Sequence, residues 1–401
     1  MRFLRLITAA LVVTFGASNV MAQKVYDPGA TDTTIKIGQT VPLSGPASSW
    51  GSVAKAAEAY FRMVNDNGGI NGRKIELIVY DDAYEPAKTV EMTRKAVEAD
   101  KVLFMSGSLG TGQQVAVAPY MNRQKVPQLF LASPSAKLAD AKTYPYTMMS
   151  GPAYQTEGAS WLKHLASLNP TAKVAVIYQD DEAGRSILEG FSANLEQTQV
   201  KIVSKQTYQV TDPSIDSQII AMKGSGADTV LLITINKMTA LALRKMAALD
   251  WRPAMYVSQG GSSVKSALEP AGFENSKGVV TVFARMSLGD PSFANDPSMK
   301  EYLAFVGKYL SGTNAATDDA YALGYINAAL TAQVLRQAGD NLTRENIMKV
   351  AASFKDYRAP LLLPGVTLSS TPTDYRLFKQ LQLHKFDGKS YVPFGPIISV
   401  N

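Results

Sequence analysis

From Thr34 onward, short runs rich in Val, Ile and Tyr alternate with longer stretches of helical period, and this rhythm leaves few folds open. The runs fall at 35–40, 74–81, 102–106, 128–132, 173–179, 201–206, 229–234, 254–258 and 279–283. Each is four to eight residues long, nearly continuous in apolar character and closed by turn residues, the signature of strands buried on both faces. Between them, 54–67, 86–99, 186–197 and 238–249 carry apolar residues at helical spacing. Strand–helix alternation of this kind predicts an α/β fold whose parallel sheets are covered by helices on both faces.

The rhythm breaks once. Tyr144-Pro145-Tyr146 and Gly151-Pro152 interrupt it, and it restarts at Val174-Ala175-Val176-Ile177. A chain of 401 residues exceeds what one core usually serves. Two sheets of four or five strands are therefore expected rather than one of nine. Helical pattern follows at 299–310, 318–338 and 344–354. Strand-like tail segments then appear at 366–368, 378–384 and 392–400, the last two separated by a turn at Asp387-Gly388.

The first 22 residues stand apart. Arg2 and Arg5 precede a mostly apolar run at 6–16 and a small-residue end, Val20-Met21-Ala22. This is the pattern of a secretory signal cleaved after Ala22. The apolar run of about 11 residues is too short to span a bilayer, which takes roughly 20. Without those two arginines the net charge falls from +6 to +4. The remaining basic residues, such as Arg73, Lys88, Arg94 and Lys101, are scattered, so the chain carries no footprint for nucleic acid. Cysteine is absent and histidine is limited to His164 and His384. Disulfides, thiolate nucleophiles, a lipidated cysteine and a multi-histidine metal centre are thereby excluded. No cofactor is called for.

In open parallel sheets, ligands sit beyond the carboxyl ends of the strands, so the loops there are the ones to read. The loop Gly107-Ser108-Leu109-Gly110-Thr111-Gly112 follows an apolar run and opens a helical stretch. Small residues let backbone N–H groups approach an anion at a helix N-terminus. Gln113 stands where a phosphate loop would need lysine, and the glycine spacing fails the dinucleotide pattern, so a carboxylate is the better guest. A tight glycine turn with no ligand is the plainer alternative. The loop Ala132-Ser133-Pro134-Ser135 has the same setting and two hydroxyls. Trp50, just past Pro42-Leu43-Ser44-Gly45-Pro46, suits either a ligand platform or a core position. The paired acids Asp81-Asp82, Asp180-Asp181 and Asp318-Asp319 could be an acid and base or hold a divalent ion. Helix capping explains them more simply. No Gly-x-Ser-x-Gly elbow exists and neither histidine lies in these loops, so a serine triad lacks its base. An exported hydrolase built on Asp180-Asp181 is the enzymatic alternative, and it is disfavoured.

Taken together, Ile35-Lys36-Ile37-Gly38, Pro42 to Pro46, Asn67-Gly68-Gly69-Ile70-Asn71-Gly72, Val126-Pro127, Gly324-Tyr325, Phe386-Asp387-Gly388-Lys389 and Val392-Pro393-Phe394-Gly395 resemble the Leu/Ile/Val-binding-protein family of ABC-transporter periplasmic solute-binding proteins. The resemblance implies two Rossmann-like lobes with parallel sheets, joined by a three-crossover hinge with the ligand cleft between them. It implies lobe one at 33–149 plus 284–356 and lobe two at 150–283 plus 357–401. It also implies a monomeric, non-enzymatic periplasmic receptor that delivers a small molecule to an ABC permease and ATPase. By the same likeness, ligand contacts fall on Trp50, Leu109, Gly110 and Thr111, on Ala132, Ser133, Pro134 and Ser135, and in the second lobe on Tyr154, Ala183, Asn236, Gln259 and Gly260. Amino-acid binders of the family place an acidic residue in the loop resembling Ser258-Gln259-Gly260-Gly261, where this chain has none. Ala183 and Asn236 or Lys237 stand where those binders carry aromatics. The chain is more similar to members that take aromatic or other larger carboxylates, with Ala132 and Lys137 in a matching Ala-x-x-x-x-Lys loop. A branched-chain amino acid or amide ligand, or a ligand sensor of the same fold, is the alternative.

Overall fold

A computed structural model describes residues 24–399, and the secretory-signal segment lies outside them. Two sheets organise the chain. In the first, five strands stand in the order Lys74–Asp81, Thr34–Val41, Phe104–Ser106, Gln128–Leu131 and Thr147–Met149. All neighbouring pairs are parallel. Thr34–Val41 stands second, between Lys74–Asp81 and Phe104–Ser106, and the face that carries Ile35 and Ile37 is buried in the first core. Its register to Lys74–Asp81 is unbroken over eight residues, Thr34 opposite Lys74 through Val41 opposite Asp81. The strand Thr147–Met149 falls inside the break that the sequence read as a boundary. It is only three residues long, too short for its periodicity to register.

The second sheet has seven strands, in the order Tyr391–Ser399, Gln380–Phe386, Val280–Phe283, Ala254–Val257, Thr229–Ile233, Lys173–Gln179 and Lys201–Tyr208. Five are parallel, and the two tail strands add antiparallel at one edge. The opposite edge strand, Lys201–Tyr208, turns Lys201, Val203, Lys205 and Thr207 outward, and lysines on an exposed edge oppose pairing with another chain. The expected strand at 366–368 is absent. Leu368 instead makes single bridges to Tyr357 and Phe378.

The chain passes between the sheets three times: after Met149, after Phe283 and before Gln380. The passages lie side by side, with Pro152 bridged to Phe378 and Arg285 bridged to Leu362. The first core gathers the sheet, the helix Ser52–Asp66 and the long helix Asp319–Ala338. It also takes Leu361, Leu363, Val366, Leu368 and Leu377. The segment 357–378, which the family likeness assigns to the second lobe, thus packs against the first. The second lobe buries one apolar cluster on each face of its sheet, one around Leu232 and Phe283, the other around Trp161 and Phe191. The arrangement is α/β with two lobes, as the alternation predicts.

Candidate functional site

The carboxyl ends of both sheets and the crossovers enclose a cavity of about 150 Å³. On the first-lobe side its wall is made largely by backbone. Leu109 N–H donates to the Thr40 carbonyl at 3.0 Å, and Ala132 N–H to that of Ser108 at 2.9 Å. The Thr40 N–H donates to Ser108 Oγ at 3.1 Å. These bonds lock the two small-residue loops to their strand ends. Gly110, at φ +101°, then turns the chain into the helix Thr111–Arg123 with no side-chain cap. The first-turn N–H groups of such a helix have no intrahelical acceptor and form an anion-favouring end. Trp50 lines the cavity and is partly buried against the cluster of Val41, Val53, Ala54, Leu109 and Ala320, so it belongs to both the wall and the core. Tyr84 joins it by a route no periodicity signals. Ala83 and Tyr84 both adopt left-handed backbone, at φ +52° and +64°. That conformation is costly for residues with a Cβ. Gln113 secures the turn by donating from Nε2 to the Tyr84 carbonyl at 2.6 Å.

The second-lobe side is made of large side chains. Asp181 caps the helix Glu182–Ser192 by accepting from Gly184 N–H at 2.9 Å, and it also accepts from Gln179 Nε2 at 2.7 Å. Gln179 shares the cavity wall with Tyr84 of the first lobe. It accepts from the Tyr208 hydroxyl at 3.3 Å, and that hydroxyl in turn accepts from Ile235 N–H at 3.0 Å. Burial pushes the Asp181 carboxyl above the usual aspartate range, against the hydrogen bonds from Gly184 and Gln179. Tyr154, at the start of the helix Tyr154–Leu168, meets Thr111 across the cleft, hydroxyl to hydroxyl at 3.0 Å. One turn on, Glu157 is 3% exposed and accepts from Gln259 N–H at 2.7 Å. Burial pushes Glu157 up to about 8, against that single hydrogen bond. A further link between the lobes is an ion pair, Lys137 to Glu182 at 2.8 Å.

Of the thirteen residues expected at the site, ten line this cavity: Trp50, Leu109, Gly110, Thr111, Ala132, Pro134, Tyr154, Ala183, Gln259 and Gly260. Ser133 and Ser135 are fully buried outside the lining, and among the described residues their hydroxyls have no partner. Asn236 is buried too, its side-chain carbonyl accepting from Ser263 N–H at 3.3 Å. Sequence reasoning did not single out Tyr84, Tyr208, Arg285 and Asp319, all of which line the cavity. Asp319 was visible as part of an acidic pair, and Tyr84 and Arg285 fall in loops just past strand-like runs, where ligands are expected.

The three acidic pairs act as caps and braces. Asp81 accepts from Leu43, Ser44 and Ala83 N–H groups and holds the Pro42–Pro46 loop. Asp180 pairs with Arg185 on the surface at 2.7 Å. Asp318 caps the helix Asp319–Ala338, and burial raises its carboxyl to about 6. No group of three or more potential metal ligands occurs among the described residues. The loop Ser258–Gly261 carries no acid of its own, yet Asp181 puts a second-lobe carboxylate on the cavity wall.

Two lobes with parallel sheets, joined by adjacent crossovers and enclosing a small cavity at their strand ends, define a cleft-type binding protein. The chain belongs to the periplasmic binding protein family, whose model matches residues 34–388, and it is similar to Leu/Ile/Val-binding proteins of that family. The family is one of substrate-binding proteins rather than enzymes. A relative, Leu/Ile/Val-binding protein homolog 7 of Brucella abortus, is 25% identical over 295 residues, covering 70% of this chain and 72% of its own. A branched-chain amino acid ABC transporter protein from Thermus thermophilus, solved with bound valine, superposes with a TM-score of 0.84 at 18% identity, covering 92% of this chain and 97% of its own. A fatty acid ABC transporter substrate-binding protein from Thermomonospora curvata superposes with a TM-score of 0.78 at 22% identity, covering 94% and 95%.

Proposed function

We propose that this chain is the periplasmic solute-capturing component of an ABC importer. Its ligand is a small carboxylate with an apolar body of about ring size, an aromatic or comparably bulky organic acid. The observation that carries this reading is the cavity itself, at about 150 Å³ and walled on the first-lobe side by an uncapped helix start beside Trp50. A cavity near 150 Å³ accepts benzene. First-turn N–H groups and the Thr111 hydroxyl receive the carboxylate, while Trp50 and Tyr154 flank the apolar body. Gln259 and Gly260 come against the ligand as the lobes close. Ser133, Ser135 and Asn236 hold the walls from behind. Micromolar binding needs about 8 kcal/mol, and a buried ring of 150–250 Å² offers roughly 4–6 kcal/mol before binding costs. Charge-assisted hydrogen bonds supply the remainder.

Lobe one is read as 33–149 with 284–378, and lobe two as 150–283 with the tail from 379. Closure brings the Thr111–Tyr154 and Lys137–Glu182 contacts together and marks the loaded state for a permease and its ATPase. The receptor acts as a monomer after its signal segment is removed.

A second reading, an α-amino acid ligand, draws on Asp181, a wall carboxylate with which an ammonium group could pair. The named ligands of the similar proteins, valine and a fatty acid, share a carboxylate and divide on the amine. A thermal-shift screen tests both readings, because a ligand of the native state raises its melting temperature. Benzoate-type acids are expected to shift it and leucine is not. A shift with leucine and none with any aromatic acid overturns the order.

A further inference from the structure

Arg285 stands where the chain leaves the second sheet, two residues beyond the strand Val280–Phe283. Among the described residues it is the one lysine or arginine that lines the cavity, and it is 9% exposed. Its Nη1 is fully used, donating to Asp319 Oδ1 at 2.8 Å and to the Met286 carbonyl at 3.2 Å. The guanidinium lies over the Phe283 ring, 4.4 Å from its centroid, which fixes the plane of the fork. Nε and Nη2 have no hydrogen-bond partner among the described residues. A guanidinium carries five N–H donors and no acceptor, so three N–H groups of a buried cation are left to be satisfied. Leaving such donors unmet is costly, and an occupant of the cavity that meets them gains accordingly. Asp319 already balances the positive charge, so the occupant need not bring a second negative one.

We infer that Arg285 is a specificity-determining residue of this cavity, its free Nε and Nη2 N–H groups taking an acceptor oxygen that the ligand carries in addition to its carboxylate. The inference rests on the carboxylate reading above and narrows it to acids bearing a carbonyl, hydroxyl or ether oxygen on an otherwise apolar body. Asp319 is a positioning residue: it holds one arm of the fork and sets the charge that the remaining arm can accept.

The test uses the mature protein and matched acids that differ by one oxygen. The pairs are 4-ethylbenzoate against 4-acetylbenzoate and hexanoate against its oxo derivatives with the carbonyl at successive positions, measured by calorimetry. At least one oxo acid should bind tenfold or more tightly than its parent in the wild-type protein. That gain should fall below twofold in Arg285→Gln. No gain at any position, as expected if ordered water satisfies the guanidinium, overturns the inference, as does an equal gain in Arg285→Gln. Should that variant fail to fold, Asp319→Asn carries the test. With the balancing charge removed, binding of terephthalate relative to 4-acetylbenzoate should rise at least fivefold, and an unchanged ratio overturns the inference. If no acid of either series binds wild-type protein, the carboxylate reading fails and takes this assignment with it. If the parent acids bind and oxygen adds nothing, only the role of Arg285 fails.

Discussion

The two sides of the cavity solve the same problem with different materials. Loops at the first sheet's strand ends present Trp50, Tyr84, Leu109, Gly110, Thr111, Ala132 and Pro134, none of them charged at neutral pH. The second sheet's loops put Asp181 on the wall, and Glu157 stands directly behind Gln259. Neutral donors fixed by backbone are indifferent to pH, whereas buried carboxylates are not. Those strand-end loops are therefore constant with pH, and the first lobe's charges at the cavity are the paired Arg285 and Asp319 near the crossover. The second side is where pH, ligand charge and closure meet.

The second wall depends on one helix pair, and breaking that pair is the severest test of the contrast. Helix Tyr154–Leu168 brings Tyr154 and Glu157, and helix Glu182–Ser192 brings Ala183, Gly184 and Ile187. The helices touch backbone to backbone. A Cβ on Gly158 would stand 2.1 Å from the Ile187 carbonyl oxygen, and one on Gly190 2.1 Å from that of Gln155. Gly158→Val should cost about 3 kcal/mol or more, since no flexible side chain can yield. The measurement is chemical denaturation. A loss under about 1 kcal/mol would mean that this pair does not hold the wall.

On the first side, Trp50→Ala should weaken ligand binding by roughly 2 kcal/mol, about thirtyfold, from lost apolar burial. The free protein's melting temperature should move little, because Trp50 is only partly buried on a small cluster. Unchanged affinity would remove Trp50 from the site and leave the first wall without its platform.

The pH contrast yields a smaller but sharper effect. Glu157 holds its proton to about pH 8 in the fold, and an unfolded glutamate releases it near 4.5. Between those values the native state binds more protons than the unfolded one, so this group lowers stability as pH rises, until about pH 8. Glu157→Gln keeps an acceptor for Gln259 N–H and removes the titration. Its stability should exceed wild type increasingly from pH 5 to pH 8 in urea melts. His384, buried and pushed down to about 4, works in the opposite sense, losing stability as pH falls from 6.5 toward 4. Parallel pH profiles for Glu157→Gln and wild type would end the claim that Glu157 titrates behind the second wall.

Much of this was legible in the chain. The parallel strands showed because burial on both faces writes itself as continuous apolar runs. The first wall showed because small residues at a strand end have a narrow range of uses, and Gly110 and Thr111 stand where that reading put them. The other lining residues were harder to read, since packing rather than periodicity brings them to the cavity. Tyr208 ends an edge strand, and Tyr84 reaches the cavity through a left-handed turn that its neighbours do not encode. Arg285 sits in a crossover where no periodicity exists to interpret. Asp181 was visible as a helix cap, which it is. That the same carboxylate also faces the cavity is a tertiary fact.

The least costly probe addresses how the sides meet. Lys137 and Glu182 join the lobes at 2.8 Å, but the lysine side chain is 64% exposed. Solvent screening limits such a pair to under about 1 kcal/mol. Lys137→Ala should therefore leave stability nearly unchanged and reduce affinity by less than about fivefold, an effect that fades as salt is raised. Thr111 and Tyr154, by contrast, meet at a partly buried pair of uncharged hydroxyls, which salt does not screen. Thr111→Val should weaken binding equally at low and high ionic strength. If the Lys137 variant instead loses binding tenfold at every salt concentration, the lysine touches the ligand. The first sheet's strand-end loops would then carry a charge at the cleft, and the contrast between the two sides would have to be redrawn.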